Sequence, residues 1–268
     1  MHDTSTDSAP PAQAVRRRSR ADNRKRYVGL LDYHQNRQLD RAFLISMRQK
    51  YVYCPVSKVA NSSIKTFLFE AELRNAGFPK NAFSFSDGKM HNMLYSPLVL
   101  PYQLPSKTFR DIIFSDKYFR FLFVRNPVDR VLSCFLDRVQ KAKSRPNRTV
   151  VEGLNVKDVS DVTFGHFVDF IATQDVAAMD PHWRPIYYES VFDKIEYHKV
   201  LRFEEMSTAL PALIEELYPR VAGKLDLSRN LSPSVTSAGS RVKEYVTPAI
   251  RAKIETIYAK DFETFGYD

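Results

Sequence analysis

A short loop that contains one lysine is the part of the sequence best suited to bind an anion. Residues 54–64 read Cys-Pro-Val-Ser-Lys-Val-Ala-Asn-Ser-Ser-Ile, between an apolar strand and a helix. The first N–H groups of a helix lack intrahelical partners and, with the helix dipole, attract anions. The small side chains of Ser57, Ala60 and Ser62 would let backbone approach oxygens closely, and Lys58 would add a charge. An ordinary strand–turn–helix with a solvated lysine fits the segment equally well.

This loop differs from the nucleotide-binding loop of ATPases and kinases. The pattern Gly-x4-Gly-Lys-Ser/Thr is absent, and residues 54–67 contain no glycine. Because those glycines let the backbone wrap around a triphosphate, their absence counts against such an enzyme. A nucleotide kinase-like phosphotransferase on the same scaffold stays open as an alternative.

A second candidate site follows the strand at 120–124. Arg125 ends this strand, and Ser133 lies in the second turn of the next helix, on the face shared with Arg130 and Asp129. An arginine offers a planar fork of donors, so a guanidinium with a nearby hydroxyl would clamp a phosphate. An arginine–aspartate surface pair beside an unrelated serine is the other interpretation.

The elements that position these residues alternate between strands and helices. Apolar, β-branched or aromatic runs predict strands at 50–54, 120–124 and 199–203. Helical spacing predicts helices at 27–47, from Ser62 or Ser63 as N-cap to about residue 76, and at 109–114, 128–141, 163–173, 204–218 and 248–262, the last capped by Thr247. We expect irregular structure at 80–108 and a polar surface insertion at 142–160. The alternation predicts an α/β fold, a single domain with a central mainly parallel sheet flanked by helices.

Composition limits the class of protein. The 268 residues are 44% hydrophobic and 13% aromatic, enough for one substantial core, and the net charge of +9 favours a polyanionic partner. Seven of the basic residues lie within 16–26, so residues 1–26 are expected to form a disordered basic tail, either solvated or in peripheral contact with a membrane or polysaccharide. No apolar run could span a bilayer or serve as a secretory signal, which predicts a cytoplasmic protein.

Two cysteines, Cys54 and Cys134, are the whole cysteine content. Both have apolar neighbours in the sequence, so we expect them to be reduced and buried rather than paired in a disulfide. With six scattered histidines they form no recognisable metal cluster.

Together, the two candidate sites resemble the two motifs that bind 3′-phosphoadenosine 5′-phosphosulfate (PAPS) in sulfotransferases. The likeness is strongest to the carbohydrate sulfotransferases of the chondroitin and dermatan type, family 2. Cys54-Pro55 and Lys58 match the first motif, and Phe123-Val124-Arg125-x-Pro127-x-x-Arg130-x-x-Ser133 matches the second. Weaker matches are His91 between the motifs, the pair His182-Trp183, and the ending Tyr258-x-x-Asp261-Phe262-x-x-Phe265-Gly266-Tyr267.

The resemblance implies a fold and a donor site. Residues 27–268 would form one domain with the P-loop-kinase-like sulfotransferase fold. The 5′-phosphosulfate would lie in the loop formed by Ser57, Lys58, Val59, Ala60, Asn61, Ser62 and Ser63. Arg125 and Ser133 would hold the 3′-phosphate, and Arg241, in a polar stretch near the end of the chain, would close over it.

The implied reaction is transfer of a sulfuryl group from PAPS to a hydroxyl, with a carbohydrate or glycolipid as the expected acceptor. Such transfer needs in-line positioning and charge stabilisation, which Lys58 would give to the leaving oxygen, and it needs no metal. A general base must take the hydroxyl proton, and histidine suits this near neutral pH. His91 is the first candidate and His182 the second, with Trp183 expected to stack on a sugar ring.

Two departures from the family keep the acceptor open. Eukaryotic members usually carry a membrane anchor and a cysteine pair after the His-Trp, and we recognise neither here. We expect a relative that acts on a hydroxylated acceptor and not on nucleic acid, in an oligomeric state that the sequence leaves open. A non-enzymatic polyanion-binding protein, driven by the +9 charge, is the remaining alternative.

Overall fold

The structure is a computed structural model that describes residues 42–80, 85, 89–140, 145–227 and 237–268. The predicted basic tail at 1–26 and most of the predicted helix at 27–47 lie outside these residues. Part of the predicted polar stretch near Arg241 also lies outside them.

A mixed four-stranded sheet forms the centre of the described part of the chain. Its strands, in spatial order, are β1 (Leu44–Ser46), β2 (Tyr51–Cys54), β3 (Phe119–Val124) and β4 (Lys199–Arg202). β2, β3 and β4 are mutually parallel, and β1 runs antiparallel to β2. The predicted mainly parallel sheet and its three strands are therefore confirmed.

The first strand corrects one prediction. Leu44, Ile45 and Ser46 were assigned to a helix, but they pair with β2, and all three are buried. Three consecutive buried residues are typical of a strand covered on both faces. Of the apolar residues that indicated a helix, Leu44 lies in β1 and Met47 lies in the turn that follows it.

Helices cover the sheet and extend beyond it. They are α1 (Asn61–Asn75), α2 (Ser106–Phe114), α3 (Pro127–Cys134), α4 (Arg145–Leu154), α5 (Phe164–Ala172), α6 (Ile186–Glu189), α7 (Met206–Leu217), α8 (Ala238–Tyr245), α9 (Pro248–Ile257) and α10 (Ala259–Phe265). Most of the predicted helices are confirmed, including the Thr247 cap, whose side chain accepts from the Ile250 N–H. The segment at 80–108 contains short 3₁₀ turns at Lys89–His91, Met93–Tyr95 and Pro101–Gln103.

Three segments of the chain differ from their predictions. The segment at 142–160, expected to be a polar surface insertion, contains the helix α4, whose buried Val150 packs into the core beside α5. The α-helix predicted to run to residue 141 stops at Cys134 and continues as a π-helical turn, Phe135–Val139. The final helix breaks at Tyr258, a buried residue whose hydroxyl donates to the Trp183 carbonyl at 2.5 Å.

Two apolar clusters fill the described part of the fold. One surrounds the sheet, and the other lies among α3, α5 and α9. Cys54 and Cys134 are buried and are not joined in a disulfide, as predicted. Within the described residues, no helix combines the length and the apolar character that crossing a bilayer requires.

Trp183 belongs to the second cluster, which overturns its predicted role. Its side chain is fully buried, packs edge-on against Phe167, and donates from Nε1 to Gln174 Oε1 at 2.8 Å. An indole enclosed in this way cannot stack on a sugar. The sequence pattern placed the residue near the site but said nothing about its burial.

Candidate functional site

Three loops meet at the carboxyl edge of the sheet. Because β2, β3 and β4 are parallel, the residues that follow them emerge at the same edge, where α/β proteins commonly bind ligands. The loop with Lys58 follows β2, Arg125 follows β3, and Phe203 follows β4. The Arg125 guanidinium carbon lies 4.3 Å from the centre of the Phe203 ring. The fold thus brings the two predicted motifs together.

The loop after β2 has an unusual backbone. Lys58 and Ala60 adopt left-handed conformations, with φ of 69° and 59°. Each costs about 1 kcal/mol or more for a residue other than glycine, and such residues cluster at functional sites. α1 begins at Asn61, and Ala60 as N-cap makes no side-chain hydrogen bond, so the predicted cap by Ser62 or Ser63 is wrong. The first N–H groups of α1 are left available for an anion.

Two buried arginines hold this loop in shape. Arg125 donates from Nη1 to the Lys58 carbonyl at 3.1 Å, and Arg130 donates from Nε to the Ser57 carbonyl at 3.0 Å. Arg130 also donates to the carbonyls of Arg184, at 2.8 Å, and Pro181, at 3.2 Å. All of these hydrogen bonds from its guanidinium go to backbone carbonyls. The side chain thereby joins the loop to the segment that carries His182.

One buried nitrogen of the Arg125 side chain makes no hydrogen bond within the described residues. This nitrogen is Nε, and the residue as a whole is buried. Buried donors without a partner are costly and uncommon, so this nitrogen marks Arg125 as a candidate contact for an anion. Ser133, predicted to act with Arg125, is also buried and lies in α3.

The side chain of Lys58 points to an acid that sequence reasoning missed. Its Nζ lies 2.7 Å from Asp137 Oδ2, and Arg138 Nε lies 3.2 Å from the same oxygen. Burial lowers the pKa of Lys58, and the hydrogen bond from Lys58 to Asp137 opposes this shift. Asp137 lies four residues after Ser133, beyond the second motif, and no sequence signal marks it as a partner of Lys58.

His91 lies beside the start of α1. Its Nε2 is 2.8 Å from the Ser62 hydroxyl, within the first turn of that helix. Partial burial, together with the positive charges of Lys65 and Arg138, lowers the pKa of His91 to about 4. The imidazole is therefore neutral at physiological pH and able to accept a proton.

His182 is the second histidine of the site. Its Nδ1 lies 2.6 Å from Asp180 Oδ1, and its backbone N–H donates to the same oxygen at 2.9 Å. A carboxylate on Nδ1 fixes the tautomer in which Nε2 is the acceptor. A positive charge on His182 would contribute to the lowered pKa of His91, so the two candidate bases share one electrostatic environment.

The other predicted binding residues have separate roles in the described structure. Val59 is buried, and Asn61 accepts a hydrogen bond from the Tyr53 hydroxyl at 3.2 Å. Arg241, in α8, makes two bonds of 3.0 Å to Glu244 and one of 2.6 Å to the Tyr245 hydroxyl. These bonds stay within its own helix, so contact between Arg241 and a donor phosphate remains a prediction.

Comparison with known proteins gives a consistent family. A model described as "Sulfotransferase family" matches residues 41–268. Human carbohydrate sulfotransferase 14 is 25% identical over 248 residues, which are 87% of this chain and 62% of the relative. The mouse protein of that name is 29% identical over 189 residues, 68% of this chain and 48% of its own length. Carbohydrate sulfotransferase 12 of Xenopus laevis is 24% identical over 264 residues, 87% of this chain and 61% of the relative.

The matched regions leave part of each relative uncovered. This chain spans between 48% and 62% of the length of these curated proteins. No solved structure matches the chain significantly.

Proposed function

The chain belongs to the sulfotransferase family, and from this premise we propose that it transfers a sulfuryl group from PAPS to a carbohydrate hydroxyl. One observation carries the proposal. Arg125 of the second motif donates to the Lys58 carbonyl of the first motif, yet retains a buried Nε without a partner among the described residues. Two anion sites held in a fixed relation suit a donor that carries phosphate at its 3′ position and phosphosulfate at its 5′ position.

The donor would use both sites. The N–H groups at the start of α1 and the Lys58 ammonium would bind the 5′-phosphosulfate. Arg125 and Ser133 would bind the 3′-phosphate and set the register of the donor, since a guanidinium forms directional bonds to phosphate. Arg241 would add a further positive charge if it exchanged its bonds to Glu244 for bonds to the 3′-phosphate.

The transfer itself is a single displacement at sulfur. The acceptor oxygen would form a bond to the sulfur as the bond from sulfur to the 5′-phosphate oxygen breaks. His91 would take the hydroxyl proton, because it lies at the helix start where the sulfuryl group would be bound. Lys58 would stabilise the negative charge that remains on the departing phosphate, which leaves as adenosine 3′,5′-bisphosphate.

His182 would support this chemistry next to His91. Its ring is oriented by Asp180, which suits either binding of the acceptor or a direct role as base. A turnover comparison of His91→Ala and His182→Ala separates these roles. If only the second substitution abolished turnover, His182 would be the base.

The carbohydrate acceptor is proposed from the relatives, whose names describe carbohydrate sulfotransferases. Sulfur-35-labelled PAPS, incubated with the protein and a panel of polysaccharides, oligosaccharides and glycolipids, tests the proposal. We expect label in at least one glycan, with kcat lowered about 100-fold or more in Lys58→Ala. The control Lys260→Ala, on an exposed side chain, should match the wild type. Absence of any labelled product, together with absence of donor binding, would overturn the proposal.

A further inference from the structure

The pair formed by Lys58 and Asp137 is a nearly buried ion pair at the candidate site. The two side chains are only 10% and 12% exposed, and their charged atoms lie 2.7 Å apart. An exposed pair contributes little, but in a buried pair the removal of one partner leaves an uncompensated charge in a poorly solvated place. The protonation state of the Lys58 amine therefore depends on the negative charge of Asp137.

The carboxylate comes from an irregular part of the helix after β3. Asp137 lies in the π-helical turn Phe135–Val139, where the Gln140 N–H bonds to the Phe135 carbonyl at 3.0 Å. Such turns insert a residue into a helix, change the direction of the side chains that follow, and occur frequently at functional sites. Here the helical segment that continues from the second motif supplies an acid that contacts the lysine of the first motif.

We propose that Asp137 is a positioning residue for Lys58, and that its carboxylate orients the ammonium and keeps it charged for sulfuryl transfer. The inference rests on the proposed function, because it assigns Asp137 a role in that reaction. Asp137 acts through Lys58 and need not touch the donor.

The groups around Lys58 explain why the charge needs support. Cys134 of α3 and Arg138 of the π-helical turn face the ammonium, and Arg125 bonds to the carbonyl of the same residue. Burial raises the pKa of the Cys134 thiol to about 12, so this group is neutral. Arg138 repels a proton on Lys58, and burial also lowers the pKa of Lys58, whereas Asp137 raises it.

Loss of the charge on Asp137 should therefore appear in the pH profile. A neutral Lys58 cannot stabilise the leaving phosphate oxygen, so activity is lost as pH rises through the pKa of Lys58. Asp137→Asn keeps the shape and one acceptor oxygen but removes the negative charge. Because this lowers the pKa of Lys58 further, the alkaline limb of kcat should move to lower pH.

The experiment measures kcat and the KM for PAPS against pH in three proteins: the wild type, Asp137→Asn and the control Asp169→Asn. The control removes the same charge from the exposed pair with Lys253. We expect the alkaline limb of Asp137→Asn to lie about one pH unit or more below that of the wild type. At pH values above both limbs, kcat of the variant should therefore be about tenfold lower. The KM for PAPS should change less than about threefold, and Asp137→Glu should restore the wild-type limb. A limb that coincides with those of the wild type and the control would overturn the proposal.

A second measurement does not depend on turnover. Competitive acylation of lysine amines, read by mass spectrometry over a pH series, reports the fraction of Lys58 that is deprotonated. Its midpoint should fall in Asp137→Asn and stay in place in Asp169→Asn, and an unchanged midpoint in Asp137→Asn would overturn the proposal. Failure of the proposed function is separate, since it would appear as a wild-type protein that neither binds adenosine 3′,5′-bisphosphate nor uses PAPS.

Discussion

At the residue scale, Lys58 and His91 are shifted toward their neutral forms for the same reason. Burial lowers the pKa of each, and nearby positive side chains add to the shift. A bound donor would bring several negative charges to the same place and favour the protonated form of both groups. Donor binding would therefore strengthen the charge on Lys58 and bring the pKa of His91 closer to the working pH, where a general base is most effective.

The pKa of His91 provides a test at this scale. Proton NMR of the histidine rings should give a pKa of about 4 for His91 in the free protein. Saturation with adenosine 3′,5′-bisphosphate should raise it by about one unit or more, because an adjacent anion stabilises the imidazolium. His91→Gln identifies the resonance.

His198 serves as the internal control for this measurement. It lies at the start of β4, where its Nδ1 accepts from the Arg120 N–H at 2.9 Å, at the opposite edge of the sheet from the loop. Its pKa should not respond to the ligand. Binding without a change at His91 would show that this histidine is not next to the donor phosphate.

At the scale of elements, the segment that carries His182 is fixed from several sides. Arg130 donates to its backbone, and the Tyr258 hydroxyl donates to the Trp183 carbonyl. α6 begins directly after this segment. The fully buried Asp261 accepts from the N–H groups of Ile186 and Tyr187, at 2.7 and 2.8 Å, and so caps α6. The C-terminal sequence run noted above thus has a structural role in positioning this part of the site.

Asp261→Ala should be strongly destabilising. It leaves two buried N–H groups without their acceptor, a loss of about 3 kcal/mol in the free energy of unfolding measured with urea. Glu263→Ala, two residues away on an exposed side chain, should change that energy by less than about 0.5 kcal/mol. A loss no larger than in this control would contradict the capping role.

The same substitution should alter the pH dependence of stability. Burial raises the pKa of Asp261 to about 6, above its ordinary value of 3.8. The folded protein then binds this proton more tightly than the unfolded chain, so the contribution of Asp261 to stability falls as pH rises from about 4 to about 6. This fall should be missing from the pH profile of Asp261→Ala.

The sequence predicts the elements of this fold better than the contacts between them. The strand–loop–helix at Lys58 and the strand that ends at Arg125 were predictable, because apolar runs and helical spacing are local properties. The short β1 was not, since three residues carry too little pattern to separate a strand from a helix. Asp137 was missed because a π-helical turn changes side-chain direction without a sequence signal, and the burial of Trp183 depends on partners distant in the chain.

At the scale of the whole molecule, the parallel strands bring two distant motifs to one edge of the sheet. Residues 67 positions apart, Lys58 and Arg125, are in hydrogen-bond contact there. Arg130 and Asp137 reinforce the same junction, which makes the candidate donor site a product of the tertiary fold. The net charge of +9 could by itself attract polyanions, but such attraction would depend on total charge and salt rather than on individual buried residues.

Calorimetric titration with adenosine 3′,5′-bisphosphate at physiological salt tests the proposed donor site most directly. We expect one-to-one binding to the wild type, affinity about 100-fold lower in Arg125→Ala, which loses a buried charged donor, and nearly unchanged affinity in Arg251→Ala, which loses an exposed charge. No binding by the wild type, or equal losses in the two variants, would contradict a sulfotransferase donor site at the Lys58 loop.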